Sequence, residues 1–376
     1  MNLDNRLYST KRKLFELGYD AVQVPLQRVS RRQLIRRDEL NRFVSADRLH
    51  YFGEQEQYDP DFGDHQWLVD HTGEHTPGTF PQSFVCELTD ISLIGRYPVP
   101  VTDSFRVPLD AVVNTNVFDL NVFFSALHTP KDVLTVSDNK RVNVGTTFLL
   151  YNYWSSGYFH WHFDSLTQLR GVEQFESITG RRPQLIVPPD MSDWQRETLR
   201  IAGYTHDDLV PWDSSSGEVD RLVVVTNQRP RPQAVRWLRK TLQVPDEPSV
   251  ESNRIYVSRE DANRRRVLNE EEVTRVLNKY RFKKFVPGDH SVREQIAVMS
   301  NAEFVVGPHG AGLTNLLHCP TGATVLELFP ESDIRGHFFT LSYKLELEYN
   351  CLLCESVGTD LVVDTDRLEA QIAELV

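Results

Sequence analysis

Between Ile255 and Val376, short apolar runs alternate with segments whose apolar residues recur every three or four positions, and this alternation leaves few folds open. Ile255–Ser258 reads as a strand. Asn269, with Glu272 three positions on, is a capping signature, and Val273, Val276, Leu277 and Tyr280 share one face of the helix it opens. Phe282–Val286 returns as a strand, Ser291 with Glu294 repeats the signature ahead of a helix reaching about Met299, and Glu303–Val306 is another apolar strand. A glycine-rich turn follows, then a short helix at Leu313–His318 and the strand Thr324–Phe329. A helix through Phe338–Leu345, a strand near Tyr349–Cys354 and a helix carrying Leu368, Ile372 and Leu375 complete the series. Strands alternating with helices at this spacing predict a parallel sheet covered on both faces, a Rossmann-like domain.

The middle of the chain repeats the rhythm less regularly. Val144–Tyr151, Gln184–Val187 and Arg221–Thr226 read as strands; Phe159 to Arg170, Trp194–Ala202 and Ala234–Leu242 read as helices. Gln243–Ser252, with Pro245 and Pro248, is the expected linker. At 376 residues two domains are the default. The expected division is an N-terminal region over 1–100 of unassigned fold, a Rossmann-like domain over 101–243 and a second over 244–376. Ligands of open α/β sheets bind beyond the carboxyl ends of the strands, so a cleft between two such domains is the expected site.

Composition removes several classes of function. A formal charge of −12 argues against a nucleic-acid partner, which needs clustered Lys and Arg. There is no run of eighteen apolar residues, and Met1 to Asp20 does not read as a leader, so the expected location is cytoplasmic. Arg28, Arg31, Arg32, Arg36, Arg37 and Arg42 against Asp38 and Glu39 give a local net of +4, either a solvated helix face or a peripheral contact with anionic lipid at the inner membrane face. Four cysteines (Cys86, Cys319, Cys351, Cys354) are too few to staple this chain and suit a reducing compartment. Cys351 and Cys354 stand in a strand-like run, without a second pair to complete a zinc site.

The turn Gly307-Pro308-His309-Gly310-Ala311-Gly312-Leu313-Thr314-Asn315 links a strand to a helix, which leaves backbone N–H groups and the positive helix end open to an anion. Gly310, Ala311 and Gly312 allow close backbone approach, His309 can donate to a phosphate oxygen, and Asn315 can orient the loop. No Walker sequence or GxGxxG is present. Glu327, on the next strand, is placed to accept from ribose hydroxyls. Arg259, Arg264, Arg265 and Arg266 follow another strand end; Arg259 and Arg264 are the candidates for bidentate diphosphate contact. Without a ligand, a tight turn and solvated arginines would look the same.

In Tyr158-Phe159-His160-Trp161-His162-Phe163-Asp164, helical spacing puts His160 and Asp164 one turn apart, so the carboxylate can orient the imidazole and either can act as general base. The same residues also read as a partly buried polar pair. Metal binding by His160, His162 and Asp164 would make a metal-dependent hydrolase, but their spacing converges only on a strand and no further His or Cys cluster completes a shell. Asp-x-Asp pairs at Asp59/Asp61 and Asp364/Asp366 lie in a Pro-containing turn and at the N-cap of the last helix.

With these residues in view, the chain resembles glycosyltransferase family 61, the group of plant arabinosyl- and xylosyltransferases and animal protein O-linked N-acetylglucosaminyltransferases. The likeness runs from about Val142 to Glu355 and rests on GPHGAGLTNLL and VLELFP, with YVSREDANRRRVLNEEEV, REQIAVMSNAEFVVG and YFHWHFDSL in support. It departs over the first hundred residues and at Leu166-Thr167, where the family tends to show Leu-Pro. The resemblance implies a GT-B pair of Rossmann-like domains and inverting transfer without an essential metal or cofactor. The expected donor is a UDP-sugar and the acceptor a hydroxyl of a glycan, lipid-linked or protein substrate, as in polysaccharide or glycoprotein biosynthesis. His160 or Asp164 would take the acceptor proton; Arg259 or Arg264, His309 and the Gly310–Gly312 turn would stabilise the leaving diphosphate. A non-catalytic nucleotide-binding module would keep the same fold.

Overall fold

The computed structural model describes residues 34–73, 78–104, 106–112, 121, 141–213, 216–228, 231–244 and 253–376, a mixed α/β protein. It divides into two compact units. The first holds the described residues up to Glu56 with Phe80–Gln195 and Gly203–Ala234; the second holds Gln57–Thr79, Arg196–Ala202 and Val235–Val376.

The sheet of the first unit contains β1 (Leu49–Phe52), β2 (Ser83–Ile94), β3 (Val99–Val101), β4 (Arg141–Leu149), β5 (Gln184–Val187), β6 (Leu209–Pro211) and β7 (Ser216–Val225). Its order is β6-β5-β4-β7-β2-β1, with β3 also on β2. The pairs among β6, β5, β4 and β7 are parallel, and those made by β2 are antiparallel. The chain steps outward from β4 to β5 and β6, then returns to β7 on the other side of β4. The carboxyl ends of β4 and β7 therefore flank the point where the order reverses, which is where open α/β sheets form a crevice. After β4 comes a helical run from Tyr158 that passes through a π turn (Trp161–Ser165) and a 3₁₀ turn (Leu166–Gln168) into a regular helix (Leu169–Thr179). That last helix lies tight on β7 at Gly171, where an added Cβ would stand 2.2 Å from the Val225 side chain.

The described residues among the first hundred are not a region apart. Strands β1, β2 and β3 are built into this sheet, while Phe62 packs on Phe339 and Tyr343 in the second unit, with ring centroids 5.2 and 5.0 Å apart. The physical reason is the position of β2: between β1 and β7 its first six residues, Ser83 to Leu88, are all buried, including Glu87, which Arg181 pairs at 2.7 Å. The expected linker lies largely outside the described residues, and the division between units falls at Ala234/Val235.

The second unit's sheet contains β8 (Arg254–Val257), β9 (Lys283–Phe285), β10 (Phe304–Pro308), β11 (Thr324–Pro330), β12 (Glu348–Val357) and β13 (Asp360–Val362), in the order β9-β8-β10-β11-β12-β13. All pairs are parallel except β12 with β13. Every residue of β10 is buried, as the apolar run predicts for a strand covered on both faces. Three helices surround it in sequence. We label them α1 (Glu270–Lys279), α2 (Val292–Ser300) and α3 (His337–Leu345), and a terminal helix α4 spans Thr365–Leu375. They bury the expected faces: Val273, Val276 and Leu277 on α1, Leu368 and Ile372 on α4. Here the order reverses between β8 and β10. No helix among the described residues is long and apolar enough to cross a membrane.

Of the basic stretch, Arg28, Arg31 and Arg32 lie outside the described residues. Arg37 is used within the first unit: its guanidinium donates to the Gln82 carbonyl and sits 5.5 Å from the Phe84 ring. Arg42 pairs with Glu39 at 3.9 Å.

Candidate functional site

In the second unit, the ends of β8 and β10 bring Arg259 against the glycine-rich turn. The turn leads into a 3₁₀ helix, Ala311–His318, with Gly310 at its N-cap. A Cβ on Gly310 would stand 1.8 Å from an Arg259 guanidinium nitrogen, so glycine here makes room for that cation. Gly312 does the same for Val257 and Pro287, with an added Cβ at 2.9 and 3.2 Å. Arg259 also donates to the Arg264 carbonyl (3.2 Å), and burial with Arg265 nearby lowers its guanidinium to about 10. The exposed side chain of Arg264 is not drawn inward; Arg265 is. Arg265 holds a left-handed backbone (φ 56°), at a cost of roughly 1 kcal/mol, and reaches Asp333 at 3.0 Å. The other oxygen of Asp333 takes Arg335 at 2.8 Å. Arg266 pairs instead with Asp360 at 2.7 Å. Asn315 is buried and orients the turn, donating to Gln295 on α2 (2.8 Å), whose own amide donates to the carbonyls of Pro287 and His290.

His309 and Glu327 are engaged with each other and with a third protein group. His309 Nδ1 lies 2.5 Å from Glu327 Oε1, and the Tyr349 hydroxyl donates to Glu327 Oε2 at 2.6 Å. Glu327 is fully buried, and its carboxylate holds two protein groups inside the sheet. Burial first, then the charges of Arg265, His337 and Arg335, keep His309 well below the usual imidazole range. A neutral ring that donates Nδ1–H to Glu327 carries a lone pair on Nε2, so in this arrangement it is not a phosphate donor. It stacks on Phe329 at 5.3 Å and props the turn from below. Tyr349, Asp333 and Arg335 escape a reading of sequence alone: Tyr349 is the β12 partner of Val325, two positions from Glu327 on the same face, which only strand register reveals.

In the first unit, the helical run after β4 presents the His160–Asp164 pair. His160 Nδ1 and Asp164 Oδ2 are 2.7 Å apart; the carboxylate is buried while a quarter of the imidazole surface stays exposed. Trp154 stacks on the ring at 4.9 Å and 22°, from a turn that Asn152 caps by accepting from Trp154 N at 2.8 Å. Trp154 is the member of this site that spacing does not disclose. The π turn carrying Asp164 is a rare form that recurs at functional sites. His162 faces away: Nδ1 meets the Tyr158 carbonyl at 2.7 Å, and complete burial lowers the ring to about 4. The three residues do not converge, and no group of three or more His, Cys, Asp or Glu among the described residues is placed to hold a metal ion. Asp61 caps its own turn through Gly63 N (3.0 Å), Asp364 caps α4, and Cys351 and Cys354 lie on β12.

Each reversal point thus carries a histidine–carboxylate pair, and the second adds a cradle of arginines around a glycine turn. Most of these residues lie in the stretch that comparison with known families picks out. Residues 158–326 match the family model described as Glycosyltransferase 61. The matched segment covers His160, Asp164, Arg259 and the Gly307–Asn315 turn, and ends one residue before Glu327. Similar proteins include the EGF domain-specific O-linked N-acetylglucosamine transferase of Drosophila melanogaster, 37% identical over 96 residues, or 24% of this chain and 18% of that protein. A beta-1,2-xylosyltransferase of Oryza sativa subsp. japonica is 36% identical over 62 residues, covering 16% and 12%. The human protein O-linked-mannose beta-1,4-N-acetylglucosaminyltransferase 2 is 36% identical over 77 residues, covering 20% and 13%. The matches span less than a fifth of each of these relatives.

Proposed function

We propose that the chain is an inverting glycosyltransferase of the GT-B class, moving a sugar from a nucleotide-sugar, in the first instance a UDP-sugar, to a hydroxyl of a glycan, lipid-linked or protein acceptor. The observation that carries this reading is the Arg259–Gly310 cradle at the β8/β10 reversal, inside the segment matched by the family model. A guanidinium packed against open backbone N–H groups at a helix start is a site for a diphosphate. The leaving nucleoside diphosphate gains charge as the glycosidic bond breaks, and Arg259 and the turn supply positive charge at that place. Arg264 belongs to the same proposal through the carbonyl that positions Arg259. On the first unit, His160 takes the proton from the acceptor hydroxyl, and Asp164 orients the ring and stabilises its charged form. His162 has no place in this scheme, so the hydrolase reading finds no support in the geometry.

Binding of UDP, GDP and CMP, followed as a thermal shift, tests the donor assignment. UDP is expected to stabilise the wild-type chain, and Arg259→Ala or Gly310→Ala to weaken UDP by about 10- to 100-fold, the loss of one or two charge-assisted hydrogen bonds. Unchanged UDP affinity in both variants would remove the cradle as the donor site.

A further inference from the structure

The Arg259–Gly310 cradle accounts for the phosphates of a nucleoside diphosphate and leaves its ribose hydroxyls to other groups. One carboxylate of the second unit stands at the same strand ends. Asp261 lies two residues beyond Arg259, past the carboxyl end of β8, and is exposed. Its carboxylate rests on Gly288, in the turn after β9, where an added Cβ would stand 2.3 Å from Asp261 Oδ2. The backbone of Gly288 is outside the left-handed region, so what glycine supplies there is space for that carboxylate. Gly310 does the same for Arg259. Pro287, beside Gly288, also borders Gly312, whose added Cβ would stand 3.2 Å from the proline ring. Arg259 and Asp261 therefore sit on one continuous rim at the ends of β8, β9 and β10.

The neighbouring charges on this rim are engaged. Glu260 pairs with Lys284 at 2.8 Å, Arg265 with Asp333 at 3.0 Å and Arg266 with Asp360 at 2.7 Å. Arg259 gives its hydrogen bond to the Arg264 carbonyl. The Asp261 carboxylate makes no hydrogen bond or ion pair among the described residues. Beside a phosphate site a carboxylate repels the ligand unless it meets donors, because like charges brought together oppose binding. Hydroxyl groups are such donors, and an ionised carboxylate can accept from two of them at once. Further along the same turn His290 is exposed and stacks on Phe285 at 4.6 Å and 22°, a flat ring of the kind on which a base stacks. Along the rim Asp261 comes after the cradle and before this ring, the order of phosphate, ribose and base in a nucleotide.

We propose that Asp261, in the space that Gly288 leaves, accepts hydrogen bonds from the ribose hydroxyls of the donor nucleotide and so selects ribonucleotides over deoxyribonucleotides. The proposal rests on the glycosyltransferase reading and adds the nucleoside half of the donor to it. No bond is made or broken by this residue; its part is to bind and to choose.

The test titrates the full chain by calorimetry with UDP, 2′-deoxy-UDP and 3′-deoxy-UDP, in EDTA so that no cation bridges carboxylate and phosphate. The wild-type chain is expected to bind UDP about tenfold tighter than at least one deoxy form, the scale of one hydrogen bond to a charged group. Asp261→Ala should bring that ratio close to one, through weaker binding of UDP and little change for the deoxy form. Gly288→Ala, which displaces the carboxylate and keeps its charge, should narrow the ratio in the same way and serves where the aspartate variant does not fold. Equal binding of UDP and both deoxy forms by the wild-type chain, a preference that survives Asp261→Ala, or one that appears only when Mg²⁺ is added would overturn the proposal. Failure of the glycosyltransferase reading looks different. In that case the wild-type chain binds none of the three nucleotides and the donor site goes with the ribose contact, whereas UDP binding without discrimination removes the ribose contact alone.

Discussion

The two histidine–carboxylate pairs have nearly the same hydrogen bond and opposite surroundings. His309 and Glu327 are sealed, at 4% and 0% exposure, with the carboxylate also holding the Tyr349 hydroxyl. His160 keeps a quarter of its ring surface while Asp164 lies beneath it. Only the second arrangement lets a proton move between the ring and an incoming group, because a general base must reach the proton it takes. The first is a strut: its free energy goes into fixing the turn on which Gly310 and Arg259 meet. What separates the two pairs is access, and residue type does not reveal it.

The comparison breaks most visibly at His160. Replacing His160 by Ala is expected to lower kcat by about 10²- to 10⁴-fold, the usual contribution of a general base, with UDP affinity unchanged. A kcat within threefold of wild type would transfer the role elsewhere.

At the sealed pair the larger effect is on stability. Glu327→Ala leaves the Tyr349 hydroxyl and His309 Nδ1 facing a void, each an orphaned buried polar group, and should cost roughly 3 kcal/mol in denaturant unfolding. UDP binding should weaken as the turn loosens. Loss of less than about 1 kcal/mol would mean that Glu327 is not the strut and would return it to ligand contact.

His162 gives a pH signature of its own. Its folded value, near 4, lies below the ordinary 6.5, so the neutral ring favours the folded state at every pH above 6.5. As pH falls from 6.5 toward 4 the unfolded chain binds a proton that the folded chain refuses, and stability drops. The loss at pH 5 relative to pH 8 should be about 2 kcal/mol, and His162→Phe should remove it. An unchanged acid sensitivity in the variant would assign the effect to other groups.

The second unit's sheet is readable in advance because its strands are consecutive, apolar and separated by helices with a clear 3.6-residue period. Strand β2 is not: its partners β1 and β7 are far from it in the chain, and its buried Glu87 and exposed Thr89 and Asp90 interrupt the apolar pattern. The same holds within the sites. Arg259, Asn315 and the His160–Asp164 pair follow from spacing along one element. Tyr349, Asp333 and Arg335 depend on which strands are neighbours, and neither composition nor period carries that information.

Two capping signatures of the same form show the limit most sharply. Ser291 does cap α2: its hydroxyl accepts from Glu294 N at 3.3 Å while Glu294 receives Ser291 N at 2.7 Å. Asn269 does not cap α1. Its amide bridges to Val363, donating to the carbonyl at 2.8 Å and accepting from the N–H at 3.0 Å, so it ties the start of α1 to the chain between β13 and α4. Both Ser291→Ala and Asn269→Ala should cost about 1 kcal/mol, one for a lost cap and one for two orphaned backbone groups. The difference lies in where the loss appears. Amide hydrogen exchange in the serine variant should quicken at the first turn of α2 alone, whereas the asparagine variant should quicken Val363, distant in sequence from the substitution. Faster exchange confined to α1 in the asparagine variant would mean that the sequence signature, rather than the bridge to Val363, describes what this residue does.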